Sequence, residues 1–149
     1  GLLDELRKRG EANIVKLLGS MKVRDASNFL RGLGGIGPKV SAFVLREFEY
    51  LFKLWTNELR SKPEEYYLLQ PVDSWVRRIT KLCWNVSLPY DHDKAAKRIV
   101  ILCRLNGVNP IEFNQGAWFV GKHYNKLLFF HGLPELPSPV TSLPDKIST

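Results

Sequence analysis

Cysteine and histidine are scarce in this chain of 149 residues, which holds two of the first and three of the second. Cys83 and Cys103 cannot supply the four thiolates of an iron–sulfur cluster. Both fall in apolar helical patterns and read as buried thiols of a reducing compartment rather than as a disulfide. His92, His123 and His131 share no metal-site spacing with other ligands, and HExxH, a Walker loop and a serine-centred elbow are all missing. A metal enzyme or a nucleotide hydrolase is therefore unsupported. No apolar run reaches the roughly 18 to 20 residues that span a bilayer, and no basic-then-apolar leader opens the chain. An intracellular protein without a membrane partner is expected.

What is present is a one-domain length with 44% hydrophobic residues, enough to bury a substantial core. Lysine and arginine outnumber acids 22 to 15, and the net charge of +7 favours a polyanionic partner. The centre of the chain is Asn28 to Glu47, NFLRGLGGIGPKVSAFVLRE, which reads as helix, glycine hairpin, helix. Gly34, Gly35 and Gly37 permit a tight turn and close approach of a ligand, and Pro38 suits the first position of the second helix. Backbone N–H groups around Ile36, Gly37 and Lys39 are expected to face an anion at that helix start. Further on, Pro71-Val72-Asp73 opens another helix, with Asp73 as N-cap accepting from the amide of Trp75 or Val76.

Leu33-Gly34-Gly35-Ile36-Gly37-Pro38-Lys39-Val40 followed by Pro71-Val72-Asp73 resembles the hairpin and catalytic motif of the helix-hairpin-helix DNA glycosylases, the base-excision repair superfamily. Lys39 falls on the nucleophilic lysine of its bifunctional members and Asp73 on its catalytic aspartate. Gly34 stands where a proline is common. The interval of 34 residues from Lys39 to Asp73 is longer than in endonuclease III and resembles the archaeal 8-oxoguanine glycosylases. The resemblance implies an all-α fold and a DNA glycosylase/AP lyase acting on double-stranded DNA with a damaged base, 8-oxoguanine first and an oxidised pyrimidine second. Lys39 would attack C1′ with the help of Asp73 and cleave the strand by β-elimination. No cofactor is required, although the family allows a monovalent cation at the hairpin carbonyls. DNA contacts are expected from Gly35, Ile36, Gly37, Pro38, Val40 and Arg77, and a base pocket from Phe43, Trp75, Trp118 and Phe119. Two rivals stand beside this reading: a non-catalytic hairpin module using Lys39 as a plain phosphate contact, and a monofunctional glycosylase in which Asp73 activates water.

The helical domain is expected over residues 1–131, with the hairpin at 28–47 and the aspartate helix at 73–85, followed by a proline-rich extended tail over 132–149. Leu2 to Met21 fits two short helices or one broken at Gly10. The family places more helices ahead of the hairpin than the residues before Asn28 can form. A fragment, a processed form, helices from a second chain, or their plain absence would each account for that. After the hairpin, Val40, Phe43, Val44, Phe48 and Leu51 form a predicted core stripe. Val76, Ile79, Leu82 and Cys83 are expected to face inward from the next helix, with Arg77, Arg78 and Lys81 opposite. Asp91 to Asn106 reads as an amphipathic helix burying Ala95, Ala96, Ile99, Val100 and Cys103, closed by Gly107. Asn109-Pro110 starts the last helix, whose aromatics run through Phe113 to Phe130.

Overall fold

The computed structural model describes Gly10 and residues 13–124. These residues are all helical in architecture, with no strand among them. In chain order they form α1 (Ile14–Gly19), α2 (Val23–Arg31), α3 (Pro38–Phe52), α4 (Thr56–Ser61), a 3-10 helix (Pro63–Leu69), α5 (Ser74–Trp84), α6 (His92–Leu105) and α7 (Pro110–His123). The leucines before Gly10, the tail over 132–149 and the aromatic residues after Tyr124 lie outside the described residues.

Short polar side chains decide where half of these helices begin. Asn13, Asp73, Asp91 and Asn109 each cap a helix, accepting from amides two or three residues on. Such caps satisfy helix N–H groups that have no intrahelical acceptor. α2 starts after Lys22, which cannot accept; a carboxylate oxygen of Glu58 in α4 receives the Val23 N–H instead, at 3.0 Å. Gly107 closes α6 with φ +66°, a left-handed conformation that costs glycine little.

Two apolar clusters form the core. Leu18, Leu30, Leu45, Trp55, Leu59 and Leu69 belong to the first, which joins α1 to α4 and the 3-10 helix. Val76, Ile79, Ala96, Ile99, Cys103 and Ala117 belong to the second, which joins α5, α6 and α7. All five residues expected to line the inner face of α6 are buried. Burial pushes the Cys103 thiol up to about 12, so it stays protonated and inert. Cys83 departs from expectation, because α5 turns its Val76, Ile79 and Thr80 inward and leaves Cys83 exposed.

The predicted core stripe of α3 is also corrected. Val40, Phe43 and Leu51 are exposed and Val44 and Phe48 only half-buried, while Ser41, Ala42, Leu45, Arg46 and Glu49 face inward. The cause is local chemistry. Ser41 and Ala42 are small enough for α2 to approach, with the Ser41 hydroxyl 3.5 Å from the Ser27 carbonyl. Arg46 and Glu49 are buried because each has partners: Arg46 donates to Asn114, and Glu49 accepts from the Trp55 amide and the Thr56 hydroxyl. This phase leaves Val40 and Phe43 on an open face beside the hairpin.

Candidate functional site

The hairpin joins α2 to α3 through Gly32 to Gly37. Only Gly35 takes a left-handed backbone, with φ +84°. Gly37 is extended and caps α3 without a side chain, and Pro38 takes the first helical position, as the sequence suggests. Helix geometry leaves the N–H groups of Lys39 and Val40 without intrahelical acceptors, at the positive end of a fifteen-residue helix. Ile36 corrects the expected donor set. Its N–H closes the turn onto the Leu33 carbonyl at 3.1 Å, and its side chain packs on the first apolar cluster.

Asp73 is placed as expected. Its Oδ1 accepts from the Val76 N–H at 2.9 Å, and its Oδ2 has no hydrogen-bond partner among the described residues. The preceding Pro71 and Val72 are buried. Lys39 is exposed and makes no ion pair among the described residues.

Lys39 and Asp73, 34 residues apart in the chain, line the same pocket. Its volume is about 180 Å³, and its walls are Val40, Phe43 and Arg46 from α3, Pro71 from the turn, and Asn114 and Trp118 from α7. It thus lies between elements of the two apolar clusters. Four residues singled out from sequence, Lys39, Asp73, Phe43 and Trp118, and the hairpin residue Val40 come together here. The two aromatic walls come from different helices, and each has a cation over its ring: the Arg46 guanidinium 5.1 Å from the centroid of Phe43, and the Lys122 ammonium 4.6 Å from that of Trp118. Neither protein-family models, curated proteins nor solved structures give a match to this chain.

Three residues singled out from sequence stand elsewhere. Phe119 follows Trp118, about 100° round the helix, and its ring packs on His123 and Tyr124 rather than in the pocket. Trp75 packs against α7 at Gly121, where an added Cβ would meet its own Cβ at 2.6 Å. Arg77, expected at a phosphate, has an intramolecular task. It donates to the carbonyls of Leu88, Pro89 and Tyr90 at 3.4, 2.6 and 3.0 Å, bracing the loop between α5 and α6.

Two site residues were missed in the sequence. Arg46, only 5% exposed, donates to Asn114 Oδ1 at 2.7 Å and pairs with Glu47 at 2.8 Å. Asn114, fully buried, donates through its amide nitrogen to the Pro71 carbonyl at 3.3 Å. Together they tie α3 and α7 to the turn that carries Asp73. A signal for both existed: Arg46 lies seven residues after Lys39 and Asn114 four before Trp118, each on the same helix face as its neighbour.

Proposed function

We propose that this chain is a helix-hairpin-helix DNA glycosylase with AP lyase activity, acting in base-excision repair on duplex DNA that carries an oxidised base, 8-oxoguanine first. The observation that carries this reading is the single pocket lined by Lys39, Asp73, Phe43 and Trp118. A plain phosphate-binding hairpin has no use for a carboxylate beside its lysine, because a carboxylate repels phosphate. It also has no use for two aromatic walls. A base inside a duplex is out of reach of any pocket and must first rotate out of the stack. Phe43 and Trp118 then offer stacking faces for it, while the open amides at the start of α3 hold a neighbouring phosphate without reading sequence.

The chemistry follows from two side chains. The Lys39 amine attacks the sugar C1′, the bond from C1′ to the base nitrogen breaks, and the departing base takes up a proton. Asp73 stabilises the positive charge that develops on the sugar or accepts the proton from Lys39; its free Oδ2 suits either role. Ring opening leaves an imine between Lys39 and the sugar. Loss of the C2′ proton and of the 3′ phosphate oxygen then cuts the strand. For the monovalent cation implied by the resemblance, the carbonyls of Leu33 and Gly37 each accept one backbone N–H and retain a lone pair. A cation held there would add positive charge beside the phosphate, and no step runs through it.

The test is borohydride trapping with duplexes carrying 8-oxoguanine or an abasic site. A covalent protein–DNA adduct should form with the native chain and vanish with Lys39→Gln. Base release that survives in Lys39→Gln would identify a monofunctional enzyme. Duplex binding with neither adduct nor base release would leave a hairpin binding module. Affinity for undamaged duplex should fall steeply with salt, as phosphate-dominated binding requires.

A further inference from the structure

The turn Pro71-Val72-Asp73 is gripped from two sides. Asn114 holds the Pro71 carbonyl from α7, and on the other side the Val72 N–H points at Nε2 of His92, the first residue of α6, at 3.3 Å. An imidazole nitrogen accepts only when it carries no proton, so this contact fixes the tautomer: Nε2 bare, the proton on Nδ1. Nδ1 faces Asp93 Oδ1 at 3.1 Å, the partner such a proton needs. Asp93 is in turn clamped by Arg31, the last residue of α2, through two contacts of 2.8 Å. The Arg31 guanidinium holds the Asp93 carboxyl down at about 2. Asp93 therefore stays an anion and acceptor throughout the neutral range. The line from Arg31 through Asp93 and His92 to Val72 joins the helix that enters the hairpin to the residue next to Asp73.

We propose that His92 is a positioning residue for the Asp73 carboxylate, acting in its neutral Nδ1–H form through the Val72 amide. The inference rests on the reading of Asp73 given above. His92 touches no substrate; it sets where the Asp73 turn sits relative to Lys39. Protonation of Nε2 would set two N–H groups against each other and release the turn. Nδ1 of the imidazole faces the Asp93 carboxylate of its own helix, and the Arg31 guanidinium of α2 stands behind that carboxylate.

The experiment compares native chain, His92→Ala and His92→Gln in single-turnover base release from a duplex carrying 8-oxoguanine opposite cytosine at pH 8. Glutamine can place an amide oxygen near the Nε2 position and does not titrate. His92→Ala should slow release by about 10- to 100-fold with duplex affinity unchanged, the scale of a misplaced catalytic group. His92→Gln should restore most of the rate. Nitrogen chemical shifts of His92 should report a bare Nε2 at pH 8. A protonated Nε2 at that pH, or His92→Ala releasing base at the native rate, overturns the inference alone. A native chain that releases no base from any damaged duplex overturns both the inference and the reading beneath it.

Discussion

The proposed reaction gives Asp73 a second role beside its helix cap, and a pair of substitutions can pull the two apart. As N-cap of α5 its Oδ1 accepts the Val76 N–H at 2.9 Å, and the residue also lines the pocket. Asp73→Ala removes both. Loss of a cap costs about 1 kcal/mol, and for a domain of this size that corresponds to roughly 4 °C in Tm. Asp73→Asn keeps an oxygen that can receive the Val76 N–H, and asparagine caps as well as aspartate. Its only thermodynamic loss is the favourable charge at the helix start, about 0.5 kcal/mol. Tm should therefore fall by no more than about 2 °C in Asp73→Asn. Catalysis should respond in the opposite proportion. Removing one preorganised charge from a transition state that builds positive charge costs roughly 100-fold or more in rate. Differential scanning fluorimetry and single-turnover cleavage of an 8-oxoguanine duplex read the two roles separately. Asparagine should be nearly as stable as the native chain and nearly inactive, alanine both less stable and inactive. Asp73→Asn cleaving at the native rate would refute the catalytic role, and Asp73→Ala melting with the native chain would refute the cap.

Gly121→Ala should destabilise the chain by about 1 to 3 kcal/mol in urea unfolding, because the new Cβ would lie 2.6 Å from Trp75 Cβ and force α5 and α7 apart. An unchanged midpoint would contradict that packing. Gly35→Ala meets no neighbouring atom, yet it must hold φ +84°, so its cost should be backbone strain alone, about 1 to 2 kcal/mol. Stability should also decline in acid through Asp93. Its folded value of about 2 lies below the ordinary 3.8, so its contribution is complete above about pH 4 and is lost as pH falls toward 2. Arg31→Ala should flatten that decline in urea unfolding at pH 5 and pH 3. The difference should stay under about 1 kcal/mol, since both side chains are partly exposed and screened by solvent.

Legibility in the sequence followed the clarity of local chemistry. α6 was readable end to end because Asp91 caps it, Gly107 stops it, and Lys94, Lys97 and Arg104 leave one apolar face to bury. α3 was readable as a helix but not in phase. Val40, Phe43, Val44, Phe48 and Leu51 satisfy helical spacing, and so do Ser41, Ala42, Leu45 and Glu49. Hydrophobicity alone prefers the first set. The second is buried because small residues admit α2 and because the buried charges have partners on other elements. Trp118 and Phe119 pose the same difficulty, since α7 is aromatic on adjoining faces and only tertiary packing decides which ring meets the pocket.

The lysine and the aspartate were legible because each sits at a helix start marked by its own turn chemistry. Arg46 was not, since its meaning depends on Asn114, 68 residues away. Yet that partner bears on which cation can act as nucleophile. Two cations line the pocket, Lys39 and Arg46. The Arg46 guanidinium is committed to Glu47 on one side and to Asn114 on the other, and a guanidinium does not give up its proton to become a nucleophile. Lys39 has no ion pair among the described residues, and a lysine amine, unlike a guanidinium, is a known type of nucleophile. The arginine thus builds the wall and holds the Asp73 turn through Asn114, which leaves the lysine for the attack in the proposed reaction.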